Sequence, residues 1–134
     1  MKLDKYIAVS GFPGLFELVN TRSNGLLIGD LDTGKTRFVS TRKHQFTPLG
    51  TIAIYTYDDS TELSVIFKTM FEKKEEHPIV AYNSDSATIK EYFGKILPDY
   101  DPDRVHTSDM KKVIKWYGFL DKRGLLTFES DEEE

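Results

Sequence analysis

The chain has 134 residues, 39% hydrophobic and 30% charged, with nine Phe, seven Tyr and no cysteine; this fits one domain, or two small units, of a globular protein. Disulfides, iron–sulfur clusters and cysteine-ligated zinc are excluded. The net charge of −4 divides unevenly: residues 1–57 hold seven Lys/Arg against four Asp/Glu, the rest eleven against eighteen, which is mild asymmetry rather than a nucleic-acid-sized basic field.

The opening Met1-Lys2-Leu3-Asp4-Lys5 leads into an apolar run too short for a signal peptide. Nothing approaches the roughly 20 apolar residues of a membrane span. A cytoplasmic location with no membrane partner is therefore expected. Lys5 to Val9 reads as a short strand, and Gly11-Phe12-Pro13-Gly14 as a turn. Leu15 to Val19 follows as a second strand. Asn24-Gly25 between apolar runs is a strong hairpin signal, because both residues tolerate positive φ. Leu26 to Ile28 continues until Asp32-Thr33-Gly34 turns the chain again. Thr36 to Ser40 is rich in β-formers, and Thr51 to Tyr57 is the clearest strand pattern of all.

The period changes after Asp58-Asp59. Leu63, Ile66, Phe67, Met70 and Phe71 form one helix stripe, capped by Ser60 or Thr61 and stopped by Pro78. A short extended piece, Ile79 to Tyr82, comes next. Ile89, Tyr92, Phe93, Ile96 and Leu97 form a second stripe, capped by Ser84 or Ser86 and ended by Pro98. Met110, Val113, Ile114, Tyr117 and Leu120 form a third, capped by Thr107 or Ser108 and closed at Lys122-Arg123-Gly124.

The expected fold is α+β: a small antiparallel β-barrel over 1–57, a three-helix part over 60–128 and a disordered acidic tail over 129–134. Ser10-Gly11, Pro13-Gly14-Leu15, Leu49-Gly50, Ile52-Ala53, Tyr55-Thr56, Leu97-Pro98, Asp103-Arg104-Val105, Asp109, Lys111-Lys112 and Trp116-Tyr117 carry a resemblance over nearly the whole chain. With them the chain resembles an uncharacterised bacterial family with an SH3-like N-terminal barrel and a helical C-terminal part. The resemblance implies that architecture and no activity.

Few motifs point to chemistry. Gly29 to Thr36 spells the phosphate-loop formula G-x-x-x-x-G-K-[ST], yet that loop must open a helix, and Arg37-Phe38-Val39-Ser40 reads as strand. Asp30 and Asp32 would also set negative charge beside the phosphates. A hairpin turn is the expected role. Asp99-Tyr100-Asp101-Pro102-Asp103 begins like a calcium loop but puts Arg104 where a Gly is needed and Met110 where a Glu is needed. His44, His77 and His106 have no metal-ligand spacing. No catalytic residue, cofactor or metal is therefore assigned, and an enzyme is not the expected reading.

Two weaker signals remain. Arg37, Arg42, Lys43 and His44 cluster beside Phe38 and Phe46, the pairing of cations with aromatics that small barrels use on nucleic acid. Trp116 falls off the main stripe of the third helix, where it either packs at a second interface or anchors a partner protein. The leading expectation is a non-enzymatic binding or adaptor protein whose partner is another protein. A nucleic-acid-associated protein using Arg37, Arg42 and Lys43 is the alternative, and a cryptic enzyme the third. Oligomeric state is not legible.

Overall fold

A computed structural model describes residues 3–128, and the acidic tail expected to be disordered lies outside the described residues. The described residues divide into two compact units, 3–52 and 53–128. In the first, five strands form one antiparallel sheet: β1 (Tyr6–Val9), β2 (Phe16–Arg22), β3 (Gly25–Asp30), β4 (Thr36–Ser40) and β5 (Phe46–Pro48). Their order is β4-β3-β2-β1-β5, so β5 returns to the outer side of β1. The sheet ends at β4 on one side and β5 on the other. The small antiparallel barrel expected over 1–57 is therefore not closed, and its strands form an open sheet.

The core of this unit is built by alternation. Ile7 and Val9 of β1, Ile28 of β3 and Val39 of β4 are buried together, with Phe12, Phe16, Leu26 and Phe46 packed around them. Period-two patterning puts the strand residues of this cluster on one face, while on the other Tyr6 is buried, Leu27 half-buried and Phe38 exposed. A bulge between Leu18 and Asn20 frees Val19 from the ladder. A single 3₁₀ turn, Leu49–Thr51, follows β5 and buries Leu49.

The Asn24-Gly25 hairpin forms, but not for the expected reason. Arg22 pairs with Gly25 across a two-residue loop, and neither Ser23 nor Asn24 has positive φ. Gly25 lies in the strand instead, where a Cβ would collide with the Val39 carbonyl oxygen and the Phe38 ring. Close approach, rather than turn geometry, requires glycine here.

The second unit starts with β6 (Ala53–Tyr55), which pairs with β7 (Ser60–Glu62) and not with the first sheet. The strand expected to complete the barrel over 51–57 thus belongs with the helices, and the division falls after Ile52. Three helices follow: α1 (Leu63–Glu72), α2 (Ser86–Ile96) and α3 (Thr107–Lys122). α2 packs against both α1 and α3. All three expected stripes are buried apart from Phe71, which is 39% exposed and lies against Phe128 at 5.0 Å between ring centres.

The caps differ from expectation in each helix. Ser60 and Thr61 are strand residues, and Glu62 precedes α1 without a side-chain cap bond. Asp85 caps α2, its Oδ1 accepting the Thr88 amide at 2.8 Å. His106 precedes α3, and its amide donates to Asp109 Oδ2 at 2.9 Å. The end of α3 is as expected: Gly124 takes φ 68°, its amide donates to the Asp121 carbonyl, and the Leu125 amide donates to the Leu120 carbonyl. Together those two bonds make a Schellman closure.

Candidate functional site

The basic residues of the first unit gather where β4 turns into β5. Arg37 pairs across from Ile28, so its stem lies on the core face while its guanidinium sits 4.7 Å above the Phe12 ring. The same ring stacks with His44 at 4.8 Å and meets Phe16 edge-on at 6.0 Å. His44 Nδ1 donates to the Ser10 carbonyl oxygen at 2.8 Å, because a carbonyl can only accept. The Gln45 amide donates to Ser10 Oγ and the Ser10 amide to the Gln45 carbonyl.

The turn over 41–44 is held as firmly. The Arg42 amide donates to Ser40 Oγ at 3.1 Å, and the Lys43 and His44 amides converge on the Ser40 carbonyl. This leaves the Arg42 and Lys43 side chains exposed on a fixed backbone. The structure thus joins Arg37 to His44 through Phe12, with Arg42 and Lys43 next along the turn. Of the two aromatics read with this cluster, Phe46 is half-buried against the core. Phe38 is on the opposite face, 47% exposed, covering Gly25. In the sequence Phe12 reads only as part of a turn. Its one sequence signal was an aromatic inside a Gly-Pro-Gly cluster, where small residues surround a ring with no local reason to be large.

The phosphate-loop lettering is a β-hairpin tip. Asp30 Oδ1 accepts the Asp32 and Thr33 amides at 2.8 and 2.9 Å, occupying N–H groups that a phosphate would need. Gly34 takes φ 76°, and Thr36 opens β4 rather than a helix. The calcium-like stretch is also spoken for. The Asp101 amide donates to the Tyr55 carbonyl, its Oδ1 accepts the Asp103 amide, and its Oδ2 lies 3.5 Å from Arg104 Nε. These bonds, with the Thr56–Tyr100 bridge, tie the loop after α2 to β6.

In the second unit Trp116 is half-buried on α3, beside the buried stripe rather than in it. The exposed aromatics there are others. Tyr55 lies under Arg104 at 5.1 Å and Tyr82 under Lys115 at 5.5 Å, while Tyr57 is 67% exposed. Tyr55, Tyr57, Asp58, Asp59 and Arg104 line an open, polar groove of about 290 Å³. Its two carboxylates face outward, with no histidine alongside.

Groups with shifted acidity all have structural roles. Burial, and then the neighbouring Tyr117, push the Tyr92 hydroxyl well above its ordinary range. Burial and then the charge of Asp121 push Tyr117 from 10.0 up to about 12. The Thr88 side chain and amide hold Asp85 below the ordinary carboxylate value. His77 pairs with Glu76 at 3.5 Å and His106 precedes α3, so the three histidines stand apart. Among the described residues no three His, Asp or Glu side chains gather as a metal site, and no helix is long and apolar enough to cross a membrane.

Comparisons with known proteins follow the same division. Residues 3–49 match a model described as Domain of unknown function (DUF5606), and residues 52–120 match Domain of unknown function (DUF6852). No curated protein matches the chain. A solution NMR structure of a protein from Bacteroides vulgatus, from the Northeast Structural Genomics Consortium, is 30% identical and covers 94% of this chain and 90% of its own, with a TM-score of 0.75. The boundary between the two matches falls where the two units meet in sequence, and the chain belongs to the family of Domain of unknown function (DUF6852), the match to the DUF5606 model lying ahead of it.

Proposed function

We propose that the chain is a non-enzymatic binding protein of the bacterial cytoplasm, and that it recognises a protein partner through the β4 side of its first unit. One observation carries this reading: Phe38 stands 47% exposed on an edge strand whose flanks carry Arg37, Arg42 and Lys43. A half-exposed aromatic ringed by charge is the composition of an interface centre. The strand order, with β5 returning to β1, supports kinship with SH3-like small barrels despite the open seam. Capture of partners from bacterial lysate by wild-type protein and by Phe38→Ser, compared by quantitative mass spectrometry, tests the reading. A set of proteins retained by wild type and lost by Phe38→Ser is expected. Specific, saturable turnover of a metabolite by the purified chain would overturn it.

A second reading is favoured by a different observation. Phe12 carries the Arg37 guanidinium and the His44 ring together, an arrangement that resembles the stacking platforms of single-strand binders. It predicts fluorescence-polarisation binding to short single-stranded RNA with affinity falling steeply as salt rises. Charge reversal at Arg42 and Lys43 with unchanged affinity would sink it.

A further inference from the structure

The two borders of the first sheet differ. β5 has three residues, ends in Pro48 and runs straight into a 3₁₀ turn, so it offers little ladder. β4 has five residues, all but Val39 and Ser40 exposed. Its outward hydrogen-bonding groups follow from the register. The Asp30 amide donates to the Lys35 carbonyl and the Thr41 amide to the Asn24 carbonyl, which fixes the closely bonded pairs of the β3–β4 ladder. In an antiparallel ladder such pairs alternate, so Arg37 and Val39 bond inward to β3. Thr36 and Phe38 therefore turn their N–H and C=O groups outward.

Charge narrows what can pair there. Residues 35–44 hold Lys35, Arg37, Arg42 and Lys43 and no carboxylate. Asp30, in the preceding turn, is engaged by two backbone amides. Two copies of β4 would bring these cations face to face, which disfavours self-pairing. An acidic strand meets opposite charge at the same positions.

We infer that β4 receives an extended, acidic polypeptide segment of a partner protein, which adds a sixth strand to the sheet by bonding the outward groups of Thr36 and Phe38. This rests on the binding reading above and names its ligand class. Backbone bonds supply affinity, and alternate side chains of the incoming strand meet Phe38 on one face and Arg37 on the other.

The test uses the full chain, labelled with ¹⁵N, and a ten-residue peptide alternating Glu and Val. Saturation is expected to slow hydrogen exchange at the Thr36 and Phe38 amides at least about tenfold, as bonded amides are protected from opening. The same peptide N-methylated at alternate residues is expected to lose binding. Thr36→Pro removes one outward donor at a place where an edge strand accepts proline, and is expected to abolish binding while far-UV circular dichroism and melting stay near wild type. Thr36→Val is expected to keep binding, and serves as the folded control.

Arg42→Glu with Lys43→Glu is expected to slow association at least about tenfold. Peptide binding that leaves both amides unprotected would overturn the inference. So would a chain that dimerises through β4, or one that binds single-stranded RNA there and ignores the peptide. If Phe38-dependent capture from lysate persists while no acidic peptide binds, strand addition fails and the binding reading stands. If Phe38→Ser also changes nothing in capture, both fall.

Discussion

Tyr92 is the one described side chain whose polar atom is buried without a partner. Its ring belongs to the apolar stripe of α2, so the hydroxyl enters the core as a passenger and loses its hydration there. A buried, unbonded hydroxyl costs stability rather than adding it. Tyr92→Phe is therefore expected to leave the midpoint of urea unfolding unchanged or to raise stability by up to about 1 kcal/mol. The pH dependence runs the same way. Both Tyr92 and Tyr117 hold their protons more tightly folded than unfolded, so in this range the unfolded chain binds fewer protons and stability falls as pH rises. That stability is whole below pH 10.0 and drains as pH climbs toward the folded value, about 12 for Tyr117. Melting curves between pH 9 and 12 should show the drop, and it should be smaller in Tyr92→Phe. An equal drop in both would mean that Tyr92 is ionising freely.

At the scale of elements, α2 shows what a single side chain decides. Ser84, Asp85 and Ser86 are all competent caps, and the sequence offers no ranking among neighbours so alike. The fold selects Asp85, whose carboxylate receives the Thr88 amide. Its folded pKa lies below the ordinary value, so its contribution is present above that value and is lost as pH falls through the folded one. Asp85→Ala is expected to lower the melting temperature at pH 7 and to converge with wild type near pH 2. Asp85→Asn should fall between them at pH 7; equal melting of all three would remove the cap from the account.

Other elements show the same limit. The stripes of α2 and α3 were readable because burial repeats every three or four residues whatever lies opposite. The pairing of β6 was not, since Thr51 to Tyr57 states that a strand exists and nothing about its neighbour. Ala53–Tyr55 found β7, formed from residues that also suit a helix cap. At Gly25 local preference speaks of a turn, while the collision with Val39 and Phe38 depends on residues fourteen and thirteen positions away. Phe12 escaped for a similar reason, because its partners Arg37 and His44 are distant in sequence.

The two units of the whole molecule are unequal. Among the described residues the first buries eight apolar side chains, the central four with Leu3, Tyr6, Leu15 and Leu49. The second buries four residues of α1, four of α2 and five of α3, including Phe67, Phe93 and Tyr117. Burial of apolar area sets how much free energy an opening costs. Native-state hydrogen exchange is expected to find the slowest amides at Phe67, Phe93 and Ile114, and faster exchange at Ile28 and Val39. The reverse order would show that the sheet is the more stable part.

The open sheet has a colloidal consequence. Its β4 border is guarded by like charge rather than by cover, and such a guard reaches only as far as ions allow: about 10 Å at 0.1 M salt and about 3 Å at 1 M. Concentrated stocks of this protein should therefore stay clear in dilute buffer and cloud as sodium chloride is added. The molecule carries a barrier to its own precipitation that ordinary salt can switch off.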